Sequence, residues 1–350
     1  MNFAGKHKAV AEAEPTEAAS DGEVAKPRVK RGPYAWFGTL ASIILILASL
    51  FVLWKLSEEI TWAELHKAFT EVTNRQLAEA FGAVAVSYLF LTCYDALALR
   101  QLRLNVPYRI TALASFTSYA VSFTLGFPLI TAATIRYWIY SKRGLSAAKI
   151  AALTVIAGFT FWLGMGVVLG LSLIIEAGQL ASLTFQSIGV NTSVRLNQIL
   201  GFGALGSVLG YIAWVSVKRR YITVRHWQLE LPGATVSFSQ MLVGIGDVCA
   251  AAAVLYVLLP DGMTLGFTTF LAIYVLAAML GIASNAPGGL GVFEATILIA
   301  LSYLPRDEVL GSLLLFRVCY YLVPFVLALL MLGAYEGLSR LRRHRAANDP

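Results

Sequence analysis

The sequence predicts an all-α polytopic membrane protein of about eight membrane segments, arranged as an inverted repeat with two broken or re-entrant helical hairpins. Three observations predict it. Apolar residues make up 58% of the 350 and charged residues only 13%, against about 25% charged in an average soluble domain. The apolar residues gather in runs of roughly 18 or more, long enough to cross a hydrocarbon core of about 30 Å as helix. The Lys and Arg residues that give the net charge of +7 fall mostly in short segments between those runs, where they set topology and do not argue for nucleic acid.

Residues 1–33 carry Glu12, Glu14, Glu17, Asp21 and Glu23 among many alanines, then Lys26, Arg28, Lys30 and Arg31. They read as a disordered cytoplasmic tail ending in a basic collar. The run from Tyr34 to Trp54 is too long for a signal-peptide core and ends in Trp54-Lys55, so it is expected as a retained first span. Further spans are expected near 77–99, 148–175, 198–217, 239–259 and 308–333, with hydrophobic hairpins near 110–141 and 264–304. Residues 34–335 then form one transmembrane domain, and 336–350 a basic cytoplasmic tail.

Positive charge orients the segments. Lys26 to Arg31, Arg100 to Arg109, Lys142 to Lys149, Lys218 to Arg225 and Arg340 to Arg345 are expected on the cytoplasmic side. Segments 55–76, 176–197, 260–263 and 305–308 have a mixed or acidic balance and are expected outside. That sorting works only if the 110–141 hairpin enters and leaves from the cytoplasm. Its arms, broken at Gly126-Phe127-Pro128, are short, roughly 24 and 21 Å of helix, so it is expected to be re-entrant. The second hairpin starts and ends outside and is broken at Ser284-Asn285-Ala286-Pro287-Gly288-Gly289-Leu290-Gly291, which cannot remain regular helix. Two spans, a hairpin and a span therefore occur twice, the second time upside down, as in many transporters with a site near the midplane.

Backbone that leaves the helix at membrane depth is tolerated only where protein buries it or a wet cavity receives it. Both breaks, with Gly126, Pro128, Pro287, Gly288, Gly289 and Gly291, thus point at an internal cavity. Arg136 follows Pro128 by two turns and Glu294 follows Pro287 by two turns, while Arg317 and Asp247 lie well inside their spans. An ionised side chain at the bilayer centre costs about 2.5–3.5 kcal/mol on insertion scales, so each is expected to face the interior with a partner. Glu294 with Arg317 is the expected pair, either lining the cavity or forming a structural ion pair. Asp95 and Arg100 are expected at the interface, near enough to the cytoplasmic end to snorkel. Asp247, in Gly244-Ile245-Gly246-Asp247, is either a cap for a local kink or a functional group. Tyr137 and Asn285, beside Arg136 and the second break, complete the candidate cavity residues.

Gly166 with Gly170, and Gly206 with Gly210, read as small-xxx-small packing pairs, and Trp36, Trp54, Trp62 and Trp138 as interfacial anchors. Cys93, Cys249 and Cys319 lie within spans with no CxxC spacing and read as small apolar residues. The four histidines are scattered in tails and loops, so no metal site and no His-based triad is expected. No cofactor is expected: Gly288-Gly289-Leu290-Gly291 lacks the strand and the GK[ST] of a nucleotide loop.

Two stretches resemble a known family. Ala286-Pro287-Gly288-Gly289-Leu290-Gly291-Val292-Phe293-Glu294 resembles the PGGLGxxE motif in the transmembrane region of lysylphosphatidylglycerol synthases, the MprF family, and of their stand-alone YbhN-like relatives. Ile135-Arg136-Tyr137-Trp138-Ile139-Tyr140-Ser141-Lys142-Arg143-Gly144-Leu145-Ser146 resembles the family's Arg-Tyr helix followed by Gly-Leu-Ser. The resemblance covers roughly 35–335. It implies a unit that translocates an aminoacylated lipid, with aminoacyl transfer carried by a separate domain. Because the chain ends at Pro350, just after Arg340 to Arg345, that transfer is not expected here.

The resulting expectation is a bacterial inner-membrane lipid flippase or transporter, multi-pass, with both termini cytoplasmic. Its partner is a membrane lipid, such as an anionic or aminoacylated phospholipid, and a homodimer is left open. A phosphate would suit a cavity wall bearing Arg136 and Arg317, with helix N-termini after Pro128 and Pro287 adding partial positive charge. Two other readings stand beside it: an intramembrane enzyme acting on a lipid phosphate or polyprenyl carrier, with Glu294 as general base, and a noncatalytic scaffold for lipid synthesis, hopanoid pathways among them.

Overall fold

The computed structural model describes residues 72–126, 128–182, 193–217, 221–224, 227–230, 232–260, 264–284 and 287–348. The expected first span at 34–54, with Trp36, Trp54 and Trp62, lies outside the described residues, as do Asn285 and the tail before residue 34.

The body is a helical bundle. In chain order it comprises α1 (Asn74–Gln101), the hairpin arms α2 (Tyr108–Leu125) and α3 (Pro128–Tyr140), α4 (Ala147–Ile175), a short α5 (Ala177–Ser182), α6 (Val194–Val217) and α7 (Ala234–Leu258). The second hairpin follows as α8 (Phe267–Ala283), a 3-10 turn at Pro287–Gly289 and α9 (Val292–Ala300). The last span is built from α10 (Arg306–Phe316), a π-helical segment (Arg317–Leu322) and α11 (Val323–Asn348). Among the described residues, five helices are long and apolar enough to cross a membrane: α1, α4, α6, α7 and the composite Arg306–Ser339. Between α6 and α7, where the sequence suggested only a basic loop, two four-residue strands, β1 (Tyr221–Val224) and β2 (Trp227–Glu230), pair antiparallel. The last helix continues to Asn348, through the stretch expected as a separate tail.

Local signals set the helix ends. Thr73 begins α1 with a capping box: its side chain accepts from the Gln76 N–H at 3.2 Å while the Gln76 side chain accepts from the Thr73 N–H at 3.0 Å. Ser146 caps α4. The π segment also has a covalent cause. Pro324 lacks an N–H, so the carbonyl four residues earlier, on Tyr320, loses its helical donor; the Tyr88 hydroxyl supplies one at 3.2 Å.

The centre of the bundle is the seam between α1 and α7. Buried residues Ala80, Val84, Ser87, Leu91, Tyr94 and Ala98 on α1 recur at alternating steps of four and three. Ser237, Gln240, Gly244, Asp247, Ala251, Val254 and Leu258 on α7 do the same with steps of three and four. A 3.5-residue period keeps one stripe of each helix against its partner along the whole length. The helices run antiparallel, since Gln76 donates to the Val257 carbonyl at one end (3.3 Å) and Gln240 to Gln101 at the other (3.2 Å). α1 and α7 hold the same place in the two halves of the chain, so this pairing is what an inverted repeat demands.

Among the described residues, polar contacts tie the helices together at each end of the bundle. Lys142, after the first hairpin, pairs with Glu336 on α11 at 2.6 Å, and Gln101 meets Gln240. At the opposite end Thr268 donates to Glu176 (2.6 Å) and Ser312 to the Leu258 carbonyl (2.7 Å).

Because apolar side chains gain little by leaving lipid for protein, close backbone approach supplies much of the cohesion. α4 and α7 touch at Gly164 and Gly244: a β-carbon on Gly244 would stand 2.6 Å from the Thr160 carbonyl oxygen, and one on Gly246 2.5 Å from the Phe90 ring. The glycines before Asp247 thus serve contact, and α7 is continuous there, with no kink for Asp247 to cap. Gly166 and Gly170 pack against α6 through Val208, Leu205 and Gly201, whereas among the described residues a β-carbon on Gly206 or Gly210 would meet nothing within 4 Å. Gly244→Val is expected to lower unfolding stability in detergent by about 2 kcal/mol or more through overpacking, whereas Gly206→Ala leaves it unchanged; steric-trap or SDS unfolding measures both.

Candidate functional site

The first hairpin turns between Leu125 and Pro128. Gly126 adopts φ +79°, and the Thr131 hydroxyl donates to its carbonyl at 3.2 Å. The returning arm α3 carries Arg136 inward against α1. There Arg136 Nε and Nη2 donate to Asp95 Oδ2 and Oδ1 at 3.0 and 2.7 Å, the planar two-point match of guanidinium and carboxylate. The Tyr140 hydroxyl donates to Asp95 Oδ2 at 3.0 Å, and the guanidinium lies 4.9 Å from the centre of the Tyr119 ring. Asp95 is 0% exposed and Arg136 1%. The expectation of an interfacial, snorkelling Asp95 is therefore wrong: the α3 arm covers it, and the cation it needs arrives from the hairpin. Arg100, one turn further, is exposed at the helix end as expected.

The second hairpin is held the same way with signs reversed. Arg317, at the start of the π segment, donates from Nε to Glu294 Oε1 at 2.5 Å and from Nη1 to the Gly288 carbonyl at 2.9 Å. Glu294 Oε2 accepts from the Gly291 N–H at 2.8 Å, so the glutamate also caps α9. Gly288 and Gly289 sit at φ +59° and +66°, a region that side chains disfavour. The tip they form abuts the open end of α2: a β-carbon on Gly288 would lie 3.2 Å from the Phe123 carbonyl oxygen and 3.0 Å from Arg317 Nη1. The two broken hairpins thus meet tip to tip inside the bundle.

Beside that meeting point is a cavity of about 390 Å³. Gly126, Pro128 and Arg136 of the first hairpin line it together with Gly288 and Gly289 of the second, and Asp247 of α7 closes its floor. The remaining wall is largely aromatic and aliphatic, including Tyr119, Phe123, Tyr274 and Tyr320. Leu129, Trp162 and Ile282 line the cavity and are exposed, so among the described residues it opens sideways between α3, α4 and α8.

Of the expected cavity residues, Arg136 and Asp247 line it. Glu294, Arg317 and Gly291 do not: they brace the Gly288 tip from behind. Tyr137 points away and is 46% exposed on the outer face of α3. The expected cationic wall is also corrected, because each arginine is matched by a carboxylate. Both Glu294 oxygens are engaged, one by Arg317 and the other by the Gly291 N–H. Sequence reasoning misplaced Asp95 and passed over Ser87 and Tyr94. Ser87 and Tyr94 donate to Asp247 at 2.6 and 2.8 Å, and their seven-residue spacing in an apolar span was the available signal.

The model of the lysylphosphatidylglycerol synthase TM region matches residues 40–328, which contain both ion pairs and the whole cavity. The Synechocystis protein slr0712 is 34% identical over 288 residues, 81% of this chain and 87% of its own. Inner membrane protein YbhN of Escherichia coli is 28% identical over 325 residues, 92% of this chain and 96% of its own. The phosphatidylglycerol lysyltransferase of Staphylococcus haemolyticus is 26% identical over 306 residues, 86% of this chain but 34% of that longer protein.

Removing one member of a buried ion pair strands the other. Arg136→Gln and Asp95→Leu are each expected to destabilise by about 3–5 kcal/mol, and the double replacement Asp95→Leu with Arg136→Met to recover most of that loss. A double-mutant cycle on unfolding in detergent checks it.

Proposed function

We propose that this chain, which belongs to the family of the lysylphosphatidylglycerol synthase TM region, is a lipid translocation unit of the bacterial inner membrane. The observation that carries the reading is the laterally open cavity at the meeting of the two hairpin tips. A volume of about 390 Å³ is in the range of sites that enclose drug-sized molecules, roughly 300–1,000 Å³. That accommodates a polar headgroup but not two acyl chains. The side opening past Leu129, Trp162 and Ile282 lets the chains stay in the surrounding lipid while the headgroup occupies the interior.

Arg136, its charge balanced by Asp95, lines the cavity together with the Asp247 carboxylate and several hydroxyls. Such a wall suits a headgroup bearing both a phosphate and a cationic group. An aminoacylated phospholipid has that character, and the lysyltransferase relative is named for phosphatidylglycerol. Both termini are assigned to the cytoplasm from the distribution of Lys and Arg. The meeting of mirrored, broken helices also supports alternating exposure, since rocking of one repeat against the other opens such a site to each side in turn.

Vesicles reconstituted with the purified protein and carrying headgroup-labelled phosphatidylglycerol or its lysyl derivative test this. The protein is expected to accelerate transbilayer movement of at least one of these lipids. Ala278→Trp, which fills the cavity wall on α8, is expected to reduce the rate at least tenfold while the protein remains monodisperse. Vesicles in which no lipid class moves faster than in protein-free controls would rule the reading out.

A further inference from the structure

Asp247 differs from the other carboxylates of the interior. Asp95 and Glu294 each hold an arginine. Asp247 is 2% exposed, lines the cavity, and forms no ion pair among the described residues. Among the described residues its two oxygens receive only neutral hydroxyls, Ser87 at 2.6 Å and Tyr94 at 2.8 Å. The other titratable groups close enough to sense its charge are Tyr88 on α1, Tyr119 on α2, Cys249 on α7, Tyr274 on α8 and Tyr320 on the π segment, all neutral when protonated. The remaining cation of the cavity wall, Arg136, is held by both oxygens of Asp95.

We infer that Asp247 is a proton-binding site of this cavity. Two physical arguments carry it. An ionised carboxylate withdrawn from water and matched only by neutral hydroxyls keeps a large part of its desolvation penalty, which one added proton removes. The hydrogen-bond geometry also accepts both states without moving a heavy atom. With Asp247 ionised, Ser87 and Tyr94 both donate to it. With a proton on Oδ1, that O–H donates to Ser87 Oγ, and the Ser87 hydroxyl turns to the Tyr320 oxygen 2.8 Å away, a contact in which either atom can donate. A hydronium ion from the adjoining aqueous phase delivers the proton: one of its O–H bonds breaks as the carboxyl O–H forms, and a neutral water is left. Coupling this proton to lipid movement rests on the translocation reading, whereas proton binding itself does not.

Infrared difference spectra of the purified full chain in phospholipid nanodiscs, recorded from acidic to alkaline pH, test the site. A protonated-carboxyl stretch is expected in the native protein, lost in Asp247→Asn, and displaced in frequency in Ser87→Ala and Tyr94→Phe, which each remove one hydrogen bond to that group. The last two variants carry the test if Asp247→Asn fails to fold. A carboxyl region unchanged by pH, or a band indifferent to Ser87→Ala and Tyr94→Phe, overturns the assignment. A second arm imposes a pH gradient across the vesicles of the lipid assay: the native rate is expected to change several-fold with the gradient and the Asp247→Asn rate to ignore it. Gradient-insensitive native transport overturns the coupling. If the band behaves as expected while no lipid moves, the proton site stands and the translocation reading fails.

Discussion

Hydrocarbon offers no hydrogen bonds, so every backbone group that a helix abandons inside the membrane must be satisfied by the protein itself. Most of the interior follows from that requirement. The first hairpin stops at Gly126 and hands its carbonyl to Thr131; the second stops at Gly288 and hands its carbonyl to Arg317. Pro324 strips a donor from the last span, and the Tyr88 hydroxyl replaces it. Arg317, once recruited, needs an anion, and Glu294 supplies one while closing the start of α9. Arg136 is fixed by the same logic from the other side, through Asp95. The polar centre of the bundle is thus a chain of obligations that begins with interrupted backbone.

These obligations also decide the electrostatics. Two arginines and two carboxylates cancel in pairs, so the interior carries little net charge from them and the polar character of the cavity comes from one carboxylate and a set of hydroxyls. A pair of this kind is a modest source of stability compared with well-packed apolar residues. It is better understood as fixing where each hairpin arm docks, because a buried Arg has one acceptable partner and the arm follows it.

Much of this was legible in the chain. Long apolar runs mark the described spans to within a few residues, and Gly126-Phe127-Pro128 and Pro287-Gly288-Gly289 mark the breaks. The Glu294–Arg317 pair followed from depth, since two opposite charges in neighbouring apolar segments had to neutralise each other. Asp95 was misjudged because distance from the end of a span says how far a side chain is from water only if nothing packs over it, and the α3 arm does. Glycine spacing was equally ambiguous: Gly170 contacts α6, while a β-carbon on Gly206, with the same pattern, meets nothing among the described residues. Helix facing is a property of the partner as much as of the sequence, and the partner is fixed only in three dimensions.

The antiparallel seam has one more consequence. Ser87 and Asp247 each lie thirteen residues into their helices, near the middle of α1 and α7, so the contact between them sits about halfway through the bilayer. The opposed helix dipoles act mainly within a turn of their ends and exert little pull at that depth. A positive charge reaching Asp247 from either face would instead cross about half of the membrane voltage, roughly 1 kcal/mol for each 100 mV. Occupancy of the carboxylate would then follow the membrane potential as well as the acidity of the adjoining compartment, which would make the energised state of the cell an input to this fold.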